Sequence, residues 1–246
     1  MSETGPARER ACAFVLAHGE AAGRARARAL MGELPAAQAL ATLPEPDPEA
    51  SPAAWLPSLA LCGELGALRA PRVERACAQL ARARAHDGGF EAQGGEDARL
   101  QLTGSLGGYL ARSPYARPDV LEALGNFLAA HWSPDRVQGF QFANLAAYAH
   151  YFANTLHEAG DEILQWCGRE LERGFRTGAF DAADSARVLL LCDAHALPGA
   201  RLELAELRVA LVAEQAPDGG FGPLDAAESA RVERTLEALA ALHHLG

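Results

Sequence analysis

The stretch "FDAADSARV" (residues 180–188) returns as "LDAAESARV" (224–232) with seven of nine letters unchanged. Working outward from it, Glu96, Asp184 and Glu228 are separated by 88 and then 44 positions, and each opens the same phrase: an acid, any residue, Ala, Arg, then Leu or Val. Arg99, Arg187 and Arg231 close the three copies. "HDGGF" (86–90) and "PDGGF" (217–221) lie 131 apart, near three periods of 44. "GAF" (178–180) falls about one period before the second, and "QGF" (138–140) supplies the remaining copy. Self-similarity at a fixed period of this length is the mark of stacked supersecondary units.

Each period holds an amphipathic helix, a Gly-rich turn ending in Phe, and a second helix richer in Ala and Leu. In "RLELAELRVALVAEQ" (201–215), Leu204, Leu207, Leu211 and Val212 recur at helical spacing while Glu203, Glu206 and Arg208 take the other side. "ARVLLLCDAHAL" (186–197) and "LEALAALHHL" (236–245) are apolar over most of their circumference, as helices surrounded by others are. Wet-faced outer helices are therefore expected near 72–85, 118–131, 161–173 and 201–215. Inner helices are expected near 53–68, 96–111, 141–158, 182–196 and 226–245. Stacked hairpins of about 44 residues make an open solenoid or a closed ring, and a ring needs no polar end cap. The expected fold is all-α: one α/α toroid domain over residues 1–246, a double ring of five to six hairpins. Residues 1–43 supply the closing helices, "PEPDPEASP" (44–52) is an extended Pro-rich connection, and the repeats are clearest over 53–246.

The chain has 246 residues and a net charge of −10, which argues against a nucleic-acid surface; the Arg24, Arg26, Arg28 alternation is too short to reverse that. Lysine is absent, a bias attributed to a GC-rich bacterial genome. No apolar run reaches the roughly 18 residues of a membrane span, and the N-terminus, with Arg8, Glu9 and Arg10 before a short apolar patch, lacks a signal-peptide cleavage pattern, so a cytoplasmic protein without a transmembrane segment is expected. Cys12, Cys62, Cys77, Cys167 and Cys192 are odd in number and never spaced C-x-x-C, which suits buried thiols rather than disulfides or a zinc ribbon.

The turn "QAPDGGFG" (215–222), with its partner "RAHDGGFE" (84–91), resembles the QW-type repeat of terpenoid cyclases and protein prenyltransferase β subunits. Gln215 matches the Gln of that repeat, Arg84 replaces it in the other copy, and Phe90 and Phe221 stand where Trp is usual. The resemblance implies an α/α toroid whose inner helices surround an apolar cavity for a hydrophobic, isoprenoid-like small molecule. "DAADSA" (181–186) is similar to the D-x-D-D-T-A motif of type II cyclases, which makes Asp181 and Asp184 the catalytic candidates; Ala183 stands in place of the proton donor. The competing reading is structural: an acid in the first turn stabilises a helix N-terminus, and Arg three positions on can pair with it. Of the prenyltransferase zinc ligands, D-x-C and a later His, Asp184 is present but Ala186 and Arg234 stand for Cys and His, and Cys167, Cys192 and His195 lack the spacing of another toroid family's zinc site, so neither metal nor cofactor is expected.

The hairpin without the acid and Arg phrase carries "GFQFANLAAYAHYFANTLHEAG" (139–160). At 100° per residue, Asn144, Tyr148, Tyr151 and Thr155 fall on one stripe beside an apolar stripe of Leu145, Ala149, Phe152 and Leu156. Facing a cavity, the first stripe would bind substrate through aromatic faces and hydroxyls; the alternative places both Tyr hydroxyls in hydrogen bonds between helices. His150 and His157 are too far apart on such a helix to share a metal. The functional expectation is isoprenoid-type ligand handling by a divergent terpenoid cyclase or prenyltransferase-like enzyme; the alternative is a non-catalytic toroid that binds a lipid-like ligand or a partner protein.

Overall fold

The structure, a computed structural model, describes residues 4–47, 49–139 and 141–246. The expected Phe of the "QGF" copy, Phe140, and Pro48 of the Pro-rich connection lie outside the described residues. Among the described residues there are twelve α-helices and no strand. In chain order they are α1 (Thr4–His18), α2 (Ala21–Leu30), α3 (Ala36–Leu40), α4 (Leu56–Glu64), α5 (Pro71–Arg82), α6 (Glu96–Ala111), α7 (Pro118–Ala130), α8 (Phe142–Ala153), α9 (Gly160–Thr177), α10 (Ala182–Cys192), α11 (Leu204–Ala213) and α12 (Glu228–Leu245). Among them no helix is long and apolar enough to cross a membrane.

All nine helices expected from the repeat are present, and their ends follow local chemistry. Pro71 and Pro118 open α5 and α7 at a position where the missing N–H costs nothing. Gly178, at φ +72°, ends α9 in the left-handed conformation that a glycine adopts without strain. The expected helix over 53–68 begins as a 3₁₀ turn at Pro52–Trp55 before α4. The helix expected over 141–158 is shorter: α8 stops at Ala153, where the Asn154 side-chain amide donates to the His150 carbonyl at 2.7 Å. Thr155 therefore lies beyond the helix that was expected to carry it, and Leu156, placed on the apolar stripe, is fully exposed.

Contacts divide the chain into two compact units. As far as they are described, the first takes Met1–Pro44, Asp181–Leu190 and Leu202–Gly246, and the second Glu45–Phe180 and Leu191–Arg201. In the first, α1 packs on α12, α2 and α11. In the second, α6 packs on α8, and α8 on α9. The α6–α8 approach is set by Gly104: a Cβ there would stand 2.5 Å from the Ala147 carbonyl oxygen, inside van der Waals contact. Backbone meets backbone only because that side chain is missing.

Candidate functional site

The two D-G-G-F turns repeat each other bond for bond, one in each unit. Asp87 Oδ1 accepts the Gly89 amide at 3.2 Å and Asp218 Oδ1 the Gly220 amide at 3.0 Å. The Phe90 amide donates to Thr103 Oγ1, and the Phe221 amide to Thr235 Oγ1, both at 2.9 Å. Arg99 reaches both oxygens of Asp87, each at 2.9 Å, and Arg231 reaches both oxygens of Asp218 at 2.8 and 2.9 Å. The Arg231 hydrogen bonds, with the Gly220 amide, hold the Asp218 carboxyl down at about 2. At Asp87 burial works upward, but Arg99 and the Gly89 amide keep the carboxyl below its ordinary range.

The equivalence extends to the helix against which each turn rests. Arg99 lies over the Phe127 ring of α7 at 5.1 Å, and Arg231 over the Phe14 ring of α1 at 4.8 Å. Glycine is required at the third turn position in both copies: a Cβ on Gly88 would lie 2.5 Å from the Ala123 carbonyl oxygen of α7, and one on Gly219 2.7 Å from that of Arg10 in α1. The Phe127 and His131 rings meet at a tilt with centroids 4.4 Å apart, and those of Phe14 and His18 likewise at 4.6 Å. His131 faces Glu96 at 3.6 Å, as His18 faces Glu228 at 3.1 Å. Thus α1 is to α11 and α12 what α7 is to α5 and α6. The sequence carries the matching signal: "FLAAH" (127–131) and "FVLAH" (14–18) share Phe, Ala and His at the same offsets.

These bonds correct the expected role of the repeated arginines. Arg99 and Arg231 do not pair with the acid three residues before them but with the aspartate of the preceding turn. Arg187, whose turn offers Thr177 at that place when aligned on Phe180, pairs instead with Glu237 at 2.6 Å.

Asp181 and Asp184, the catalytic candidates, are brought together at the start of α10 by one guanidinium. Arg234 of α12 donates to Asp184 Oδ1 at 2.7 Å, to Glu237 Oε2 at 3.0 Å, and to Asp181 Oδ2. Burial pushes the Asp184 carboxyl above its ordinary range while Arg234 pulls the other way. Glu214 Oε1 accepts the Ala182 amide at 2.7 Å, closing the start of α10; its carboxyl too is pushed up by burial. Three carboxylates thus surround one arginine, and a fourth caps the helix beside them.

The α8 residues are engaged in packing. Tyr148 is fully buried, its hydroxyl donating to the His131 carbonyl at 2.9 Å and its ring meeting Trp132 edge to face at 4.9 Å. The buried Tyr151 hydroxyl donates to the Leu121 carbonyl, and burial pushes it up to about 12. Asn144 belongs to a polar cluster: it accepts from Gln101 at 2.8 Å and donates to Asp97 at 3.4 Å, and Asp97 in turn receives Arg136 at 2.7 Å. Thr155 donates to the Tyr151 carbonyl at 3.0 Å. Both tyrosine hydroxyls are therefore hydrogen-bonded between helices, the arrangement named above as the alternative to a ligand-facing stripe.

Among the described residues no group of three or more His, Cys, Asp and Glu is placed to hold a metal ion. Comparison with protein-family models, with curated proteins and with solved structures gives no significant match. The five cysteines are buried free thiols, and burial raises each one above its ordinary range.

Proposed function

We propose that the chain is a non-catalytic binding module built on the α/α-toroid plan, with an isoprenoid-like hydrophobic molecule as its ligand. The observation that carries the non-catalytic part is the triple engagement of Arg234. Protonating an alkene requires a carboxylic acid that is neutral and free to donate. Asp181 and Asp184 are instead acceptors shared by one cation. The ring is supported by the equivalence of α1 and α7, since a helix from the N-terminal segment occupies the place that follows α12 in the repeat order. The ligand class is supported by the resemblance of the "QAPDGGFG" turn to the QW-type repeat.

Titration with a fluorescent farnesyl analogue tests the binding, which is expected to saturate. Incubation with prenyl diphosphates of several lengths and with squalene is expected to return them unchanged. A second reading is favoured by one observation, the upward push of burial on Asp184: a divergent cyclase or transferase using that carboxyl as its acid. Product formation abolished by Asp184→Asn would establish it in place of the first.

A further inference from the structure

Outside the acid cluster and α8, the second unit holds a groove of about 370 Å³ between the outer face of α5 and the segment joining α6 to α7. Its floor is made by Cys77, Ala78 and Ala81, successive turns of one helix stripe, and Tyr115 forms part of the facing wall. That wall is fixed in advance. The Tyr115 hydroxyl donates to the Arg69 carbonyl at 2.8 Å, its amide donates to Ser113 Oγ at 3.1 Å, and Ser113 touches Cys77 at 3.5 Å. Burial raises the Cys77 thiol, which leaves the floor neutral.

Charge divides the groove end to end. Glu74 in the first turn of α5 and Arg82 in its last turn both line it, and among the described residues neither side chain is held by an ion pair or hydrogen bond. The neighbouring charges are already balanced: Arg75 is bound by Glu45, and Arg117 on the facing wall by both oxygens of Asp119, at 2.9 and 2.7 Å. A carboxylate and a guanidinium, neither in an ion pair though Glu74 also acts on Arg75 through space, thus stand eight helical residues apart, about 12 Å along the axis.

We infer that this groove binds a short free-ended peptide, its amino terminus at Glu74, its carboxylate at Arg82, and an apolar or aromatic side chain on the Ala78, Ala81 and Tyr115 surface. An extended tripeptide spans about 10 Å, which the reach of the two side chains matches to that separation. A ligand with one charge would engage only one end, and a long polyanion would meet Glu74. Occupancy here is independent of any isoprenoid binding, because Glu74 and Arg82 belong to neither the acid cluster nor the α8 network.

The test is calorimetric titration of the full chain with the tripeptide Ala-Phe-Ala, free at both ends, N-acetylated, or C-amidated. Saturable binding of the free peptide is expected. Each cap should weaken it about two- to fivefold, the worth of an exposed charge pair. Arg82→Gln should weaken the free peptide by the same factor yet have no effect on the amidated one, and Glu74→Gln should behave likewise toward the acetylated one, as coupled pairs do. Both positions are exposed, so the variants fold. Absence of saturation with the free peptide, or an affinity indifferent to the caps and to both substitutions, overturns the inference.

Discussion

Replacing Phe14 by Ala tests whether the N-terminal helix is a working member of the repeat. Terminal segments usually fray, and a substitution in a helix beginning at residue 4 would then cost little. The geometry argues otherwise. Phe14 is 5% exposed and lies beneath Arg231, while Gly220 approaches its ring so closely that a Cβ there would stand 2.9 Å away. Removing a buried phenylalanine costs about 3 to 5 kcal/mol, and the cation–π contact above it is included in that figure. Phe127 is 2% exposed and holds the same position under Arg99, so Phe127→Ala should cost a similar amount. Urea unfolding followed by far-ultraviolet circular dichroism gives both values. Hydrogen exchange at the Gly220 and Phe221 amides should accelerate in Phe14→Ala alone, and at Gly89 and Phe90 in Phe127→Ala alone. A Phe14→Ala cost under about 1 kcal/mol beside a full-sized Phe127→Ala cost would refute the equivalence of α1 and α7.

Three other outcomes follow from the same contacts. Glu228 is exposed and meets only His18 among the partners seen for its side chain, so Glu228→Gln should cost at most about 1 kcal/mol in urea unfolding; a loss of twice that would give it a larger role. Asp218 titrates lower folded than its ordinary 3.8, so its ionised form stabilises the fold above that value and the contribution is lost as pH falls through about 2. The stability gap between wild type and Asp218→Asn should accordingly be constant near neutrality and narrow across that window in acid titrations; a gap that widens there would contradict the Arg231 pairing. Gly104→Ala forces a methyl against the Ala147 carbonyl oxygen and should cost about 1 to 3 kcal/mol, whereas the usual helix-propensity gain would make it stabilising in urea unfolding were the helices farther apart.

What the sequence made legible was whatever is local or periodic. The 44-residue phrase and the alternation of wet and apolar helices locate α4 to α12 because helix patterning depends on neighbours three and four residues away. The partners of the repeated arginines were not legible, because Arg231 and Asp218 are thirteen residues apart across a turn whose geometry lies in backbone bonds rather than in letters. The end of α8 was misplaced for a related reason: "ANTLHE" continues an apolar pattern, yet the Asn154 side chain bonds back to the His150 carbonyl and terminates it. Asn144, Tyr148 and Tyr151 share a side of α8, but a stripe says which residues share a side and not what faces them. The match between "FLAAH" and "FVLAH" is three letters in five, too short to mark a repeat without the contacts that Phe14 and Phe127 make.

The acid at 184 differs from those at 96 and 228 through one change upstream. Where Asp87 and Asp218 hold their turns, the third turn has Thr177, and its Phe180 amide bonds the Gly174 carbonyl at 3.1 Å rather than a threonine hydroxyl. Without a turn aspartate Arg187 swings to Glu237, and Glu237 in turn shares Arg234 with Asp181 and Asp184. Of the other two acids, Glu228 meets the His18 imidazole, and Glu96 holds Arg136 at 2.8 Å with the His131 imidazole at 3.6 Å. Arg234, which has Leu102 and Leu190 at the equivalent positions of the other copies, gathers the carboxylates of Asp181, Asp184 and Glu237 on a single guanidinium. The acids that resemble a catalytic motif in the sequence are thus held together by an arginine that the other two copies of the repeat do not have.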